Sequence, residues 1–257
     1  MPTMTATVDR RVIVTYTLDP DVARAILPAP FRPNLSFGRA LAGICLIRVS
    51  GLRLPGLPPQ VGLTVESAVH RVAAEWDTPD GIATGAYILR RDTDSTLAVL
   101  AGGRLFPGEH HRATFGAVET PTRASIAAQS LDGAMSVAFD GEETPTLPPS
   151  SIFTGADSAS AFLRCDRTAY SPNRRHATFD GLRMDSAHWQ GTPMRCSYLQ
   201  SSVFENRALF PKGSISFDHA LVVRGVDARW VSLPRLSASP LPRRIPDSAL
   251  EHASRRT

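Results

Sequence analysis

The chain has 257 residues, of which 42% are hydrophobic, enough to build an ordinary core and to exclude intrinsic disorder. Its 28 basic and 24 acidic residues leave +4, spread as isolated arginines and Arg-Arg pairs with no basic stripe among aromatics, which argues against nucleic-acid binding. The longest apolar runs, such as residues 40–47, fall short of the roughly 18 to 20 residues of a membrane helix, and no secretory signal is visible at the start.

Residues 11–17 (RVIVTYT) are β-branched and aromatic and predict a strand. Asp19, Pro20 and Pro28 then cap, open and stop a short helix. A long strand is expected over residues 40–49, its continuous apolar character implying burial on both faces. The Pro- and Gly-rich stretch 51–59 reads as a loop, and strands over 64–76 and 82–90 are joined by a hairpin. A helix capped by Asp94 runs to Ala101. Strands follow at 110–118, 123–130 and 134–139, the last two joined through Asp132-Gly133. After a loop at 141–151 and a helix at 157–164, strands return between 177 and 232, with turns at Asp180-Gly181, Gly191 to Pro193, Pro211 to Gly213 and Gly225. Residues 1–9 are expected to be a flexible N-terminus, 10–234 one domain, and 235–257 a Pro- and Arg-rich tail. Ten or more strands without β-α alternation give an α+β class, mainly antiparallel β, as a closed or half-closed barrel.

Nucleotide-binding, serine-hydrolase and zincin motifs are absent. Cys45, Cys165 and Cys196 form no Cys-x-x-Cys and read as reduced thiols of a cytoplasmic protein. No short-spaced ligand pair supports a metal site, and no cofactor is expected.

The order of elements resembles the acetoacetate decarboxylase-like superfamily. The resemblance is carried by Val14, Tyr16, Asp19, Leu27, Pro28 and Pro30, by Leu63 to Ser67, by residues 94–107 (DSTLAVLAGGRLFP), and by Phe217 to Ala220 (FDHA), and it spans residues 10 to 232. It implies a cone-shaped β-barrel with a few short peripheral helices, an internal pocket and a homo-oligomer. In the decarboxylases a Pro-Lys-Lys segment supplies the Schiff-base amine and a neighbouring cation that lowers its pKa. Here that place reads Pro107-Gly108-Glu109-His110-His111, and the chain has one lysine, Lys212, in an evident turn. A Schiff-base decarboxylase is therefore not expected.

Glu66 lies mid-strand in an apolar run, where a carboxylate must be paired or tuned, and the resemblance implies that it faces the pocket. His70 shares its face by period two, about 13 Å along, at the rim or exposed. Of His110 and His111 only one faces inward easily, because adjacent side chains of an extended segment diverge. Glu66, Glu109 and His110 are thus the catalytic candidates, an acid-base set suited to enolisation, dehydration, cyclisation or C–C lyase chemistry. Arg11, His70 and His111 are the substrate-binding candidates. Arg10 is an alternative to Arg11, with Arg48 and Arg104 weaker carboxylate ligands. Asp218-His219 reads as a buried structural pair, and His188-Trp189 and Tyr198 as aromatic walls. The expected partner is a small carbonyl or carboxylate compound, in secondary metabolism, with no nucleic acid and no membrane. A non-catalytic binding protein on the same scaffold is the competing expectation.

Overall fold

A computed structural model describes residues 2–103, 106–165, 167–173, 178–186 and 189–237. The chain begins with β1 (Met4–Leu18), α1 (Pro20–Ile26), the two-residue strands β2 (Arg32–Pro33) and β3 (Leu35–Ser36), β4 (Arg39–Arg53), β5 (Leu63–Thr78), β6 (Gly81–Thr93) and α2 (Thr96–Ala101). It continues through β7 (His111–Glu119), β8 (Arg123–Ser130), β9 (Ser136–Glu143), α3 (Ala156–Cys165), β10 (Thr168–Pro172), β11 (Thr178–Ser186), β12 (Thr192–Ser201) and β13 (Ile215–Ser237).

The pairing closes two rings that share a wall. Nine strands return on themselves in the order β6-β7-β8-β9-β12-β13-β1-β4-β5, closed by the β5–β6 ladder. Seven close in the order β11-β10-β6-β5-β4-β1-β13, sealed by β11–β13. β6 pairs parallel with β7 and with β10, and the other ladders are antiparallel. The fold is therefore mostly strand, mixed in direction and ring-like, with short helices outside.

This shared wall explains the long apolar runs. Residues 12–18 of β1 and 40–46 of β4 are buried without alternation because one face lines each ring. The nine-stranded ring is solid: Val12, Leu46, Val72, Tyr87, Ala113, Ile126, Phe139, Met194 and Val222, one from each of its strands, belong to a single buried cluster. A second cluster covers the opposite face with Ile13, Cys45 and Val65, joined by Phe153 and by Leu163 of α3.

Several boundaries differ from expectation. β1 reaches back to Met4, so residues 4–9, expected to be flexible, are strand paired with β4 and β13. β13 runs to Ser237, past the expected limit at 234; residues 238–257 lie outside the described residues. Asp19 caps α1 as expected, accepting from the Asp21 and Val22 N–H groups. Ser95 rather than Asp94 caps α2, because Asp94 instead accepts the Glu66 N–H at 2.9 Å. Asp180-Gly181 lies inside β11, where ladder pairing overrides its turn propensity, and Gly225 lies inside β13 with φ at +63°.

Gly85 marks the seam between β6 and β10. A Cβ there would stand 2.4 Å from the Thr168 carbonyl oxygen and 2.9 Å from the Trp76 ring. Gly85→Ala is expected to lower stability by about 1–3 kcal/mol, read from the denaturation midpoint; an unchanged midpoint would show that the seam yields without cost.

Candidate active site

A cavity of about 200 Å³ lies inside the seven-stranded ring. Every strand of that ring contributes to its lining: Arg11 from β1, Cys45 from β4, Val65 from β5, Ile88 from β6, Ala169 from β10, Met184 from β11 and Trp230 from β13. The polar lining is dominated by cations. Arg11, Arg71, Arg91, Arg167 and His110 all border it, and no described lining residue is acidic.

Arg11 is held by soft partners that leave its charge unneutralised. Its Nε donates to the Cys45 sulfur at 3.1 Å, a terminal nitrogen approaches the Met184 sulfur at 3.7 Å, and the guanidinium lies 5.5 Å from the centre of the Trp189 ring. Arg91 donates to the Ser171 hydroxyl, the Pro107 carbonyl and His110 Nε2. Burial lowers its guanidinium to about 10, so it stays charged at neutral pH. A guanidinium has no lone pair to offer, so His110 Nε2 must accept at 3.5 Å. The proton is thereby assigned to Nδ1, which faces the Gly108 carbonyl at 3.3 Å. His110 thus presents a neutral ring with its basic nitrogen beside a fixed cation.

The loop that carries His110 is built for close approach. At Gly108 φ is +77°, and a Cβ would meet the Ser171 side chain at 2.3 Å. The Gly108 N–H donates to buried Asp180 at 3.0 Å, and Asp180 is itself ion-paired with Arg235 at 2.7 Å. Asn173 adds two further bonds to the same carboxylate.

Glu66 and His70 share one face of β5, as period two predicts, but it is the face away from the cavity. Odd-numbered Val65, Ser67, Val69 and Arg71 line the cavity. Glu66 instead pairs with Arg10, whose two terminal nitrogens lie 2.5 Å from Glu66 and 2.6 Å from Glu119. Arg224 extends this network from Glu119 to Glu143. Burial pushes the Glu66 carboxyl up while the Arg10 charge opposes it. His70, expected at the rim or exposed, has no exposure; its Nε2 meets the Ser201 hydroxyl at 3.0 Å and its ring packs on Phe204.

No family model and no curated protein matches the sequence. Solved structures do. The enduracididine biosynthesis enzyme MppR complexed with pyruvate aligns at a TM-score of 0.56 with 12% identity, over 93% of this chain and 91% of that one. An acetoacetate decarboxylase-like enzyme from Sphingomonas wittichii RW1 aligns at 0.55 with 10% identity, over 92% and 93%. Acetoacetate decarboxylase from Legionella pneumophila aligns at 0.55 with 12% identity, over 91% and 85%. The chain has the acetoacetate decarboxylase-like fold.

On this fold the remaining candidates separate clearly. His110 is buried at the cavity while His111, the next residue, turns to Asp132 at 3.5 Å, the divergence expected of an extended segment. Glu109 is half-buried and does not border the cavity. Lys212 is exposed in the turn before β13. Asp218 and His219 are both buried, 2.5 Å apart, with Asp218 also accepting from Ser151 and the Ile152 N–H, a structural pair as expected. Arg48 joins the Glu66 network at 3.5 Å, and Tyr198 is exposed away from the cavity. Arg104 and His188 lie outside the described residues, as does the Cys165 side chain. Among the described residues no group of three or more His, Cys, Asp or Glu is placed to hold a metal ion, and no helix is long and apolar enough to cross a membrane. Sequence reasoning missed Arg71 and Arg91. Arg71 stands mid-strand beside His70 in β5, whereas Arg91 lies near the end of β6 within the charged run Arg90-Arg91-Asp92, where nothing in the sequence marks it out.

Burial, with the Arg90 charge second, lowers His70 to about 3 from its ordinary 6.5. Its depressed folded value means that stability is full above pH 6.5 and is lost as pH falls toward 3, where the unfolded chain binds the proton first. His70→Gln is expected to make the fall in denaturation midpoint between pH 6.5 and 3 shallower than in the wild type. Parallel curves for the two proteins would show that His70 is not the group responsible.

Proposed function

We propose that the protein is an enzyme that binds a small carbonyl compound bearing a carboxylate and moves a proton on it without a Schiff base. The observation that carries this is the placement of Arg11, Arg91 and His110 around one cavity whose described lining holds no acid. An uncompensated buried cation is costly, so such a site favours an anionic occupant, and arginine meets a carboxylate with two parallel hydrogen bonds. The pyruvate bound by MppR supports an anion of this kind on the same fold.

In the proposed step the substrate oxygen draws the Arg91 N–H away from His110 Nε2, and the lone pair so freed takes a proton from the carbon next to the carbonyl while the electron pair moves onto the carbonyl oxygen. Arg91, 3.5 Å from that nitrogen, stabilises the oxyanion in place of an iminium sink. Return of the proton to oxygen or carbon completes an enolisation, departure of a β-hydroxyl as water completes a dehydration, attack of the enolate carbon on a second carbonyl of the substrate closes a ring, and removal of a β-hydroxyl proton instead of the carbon-bound one breaks the C–C bond to an aldehyde and the same enolate. Glu66, the expected partner of the histidine, belongs instead to the Arg10 network, so His110 acts with Arg91 rather than with a carboxylate. The cavity being internal, the competing view is a binding protein that retains Arg11 and Arg91 and uses His110 only as a hydrogen-bond partner.

Pyruvate titration followed by NMR tests the anion site. Arg91→Leu is expected to weaken binding by about 10- to 100-fold, the loss of a hydrogen-bonded charge. His110→Gln is expected to keep pyruvate binding and abolish exchange of its methyl protons with D₂O. Exchange absent in the wild type while binding persists favours the binding protein; no binding at all overturns the carboxylate site.

Borohydride added with pyruvate is expected to leave no adduct at Lys212, checked by mass spectrometry. A stable adduct there would overturn the Schiff-base-free chemistry.

A further inference from the structure

The cavity is not uniform along its length. On β5 the lining passes from Leu63 and Val65 through Ser67 and Val69 to Arg71, and the register carries the same order onto the neighbouring strands. Leu52 pairs with Leu63 and Val49 with Val65, forming an apolar stretch. Ser67 pairs with Ile47, itself opposite Arg11, and with Thr93; Val69 pairs with Arg91. Leu63 is 42% exposed against 7% at Val65, so the lining opens to solvent at its apolar end. Arg71 and His110 are buried and Arg11 and Arg91 half-buried along the inner part of the lining, and the apolar stretch leads from them out to solvent. Leu63 and Arg71 are separated by about 26 Å of strand, far more than a three-carbon acid spans.

The mouth itself is apolar. The connection from β4 to β5 exposes Leu54, Leu57 and Val61, at 44%, 47% and 60%. Exposed leucines scattered singly are ordinary, but three on the one loop that bridges two lining strands form an apolar approach to the opening. A volume of about 200 Å³ also exceeds what a short keto acid fills, since a cavity of about 150 Å³ already holds benzene.

We propose that the physiological ligand is an amphipathic monocarboxylate, its carboxylate at Arg91 and Arg11 and an extended apolar tail running between Val49, Leu52, Leu63 and Val65 toward the mouth. This rests on the carboxylate site proposed above and adds the tail. Burying each methylene tightens binding about fourfold, so a tail of several carbons dominates discrimination between acids.

Isothermal titration of the wild-type protein with butyrate, octanoate and 1-octanol separates the two ideas. Octanoate is expected to bind about 250-fold more tightly than butyrate, and 1-octanol more weakly than octanoate. Leu63→Asp, at an exposed position that tolerates a charge, is expected to weaken octanoate about tenfold and leave butyrate unchanged. Equal affinity for the two acids would overturn the tail while leaving the carboxylate site standing. Alcohol binding equal to octanoate would overturn the carboxylate site, and with it the monocarboxylate, while the apolar channel survived. Failure of all three to bind would overturn both.

Discussion

The structure depends on one constraint, a five-stranded wall of β13, β1, β4, β5 and β6 that must serve two closed rings at once. A strand in an ordinary barrel has an inside and an outside, and half of its side chains answer only to solvent. Here both faces are inside. Successive residues are therefore sent to different compartments, and neighbouring positions in sequence carry unrelated duties. Arg10 and Arg11 are the sharpest case: the first is 1% exposed between Glu66 and Glu119, while the second reaches the cavity and rests on sulfur and an indole ring.

The two compartments handle charge in opposite ways. At one end of the nine-stranded ring, Arg10 and Arg224 alternate with Glu66, Glu119 and Glu143, so each buried charge has its counter-charge within hydrogen-bond reach. Removing one partner of such a set strands the other in a poor solvent, which makes the network structural. In the seven-stranded ring the charge of Arg91 is met by a hydroxyl, a carbonyl and a neutral imidazole nitrogen. Dipoles hold a guanidinium in place without cancelling it. That difference, more than the burial of any one group, separates a site prepared for a ligand from a site already satisfied.

Much of the fold was legible in the sequence because strands and turns announce themselves locally. The capped α1, the hairpin at Asp132-Gly133 and the doubly buried β4 all follow from residue type and spacing. Period two also placed Glu66 and His70 together. It had no means of saying which ring that face belonged to, because apolar residues fill both faces of β5 and alternation loses its meaning where neither side is wet. A carboxylate among apolar neighbours stands out in a sequence, whereas Arg71 beside His70 and Arg91 between Arg90 and Asp92 are masked by polar neighbours that face the other way. His110 was found for a different reason: adjacent side chains in an extended segment diverge, and loop geometry at Gly108 decided between His110 and His111.

The single lysine is exposed in its turn and does not border the cavity, so none of the described lining residues carries a lysine amine, and that narrows what chemistry the proposed site can support. An iminium accepts an electron pair covalently and needs little help from its surroundings. An oxyanion must be stabilised by charge and dipole alone, and these act strongly only where water is excluded. Burial lowers Arg91 to about 10, and the same poor solvation that disfavours the lone cation strengthens its attraction to an anion. An apolar tail filling the approach would complete the exclusion at the moment of binding. Substrate recognition and oxyanion stabilisation would then draw on the same event, the displacement of water from the cavity.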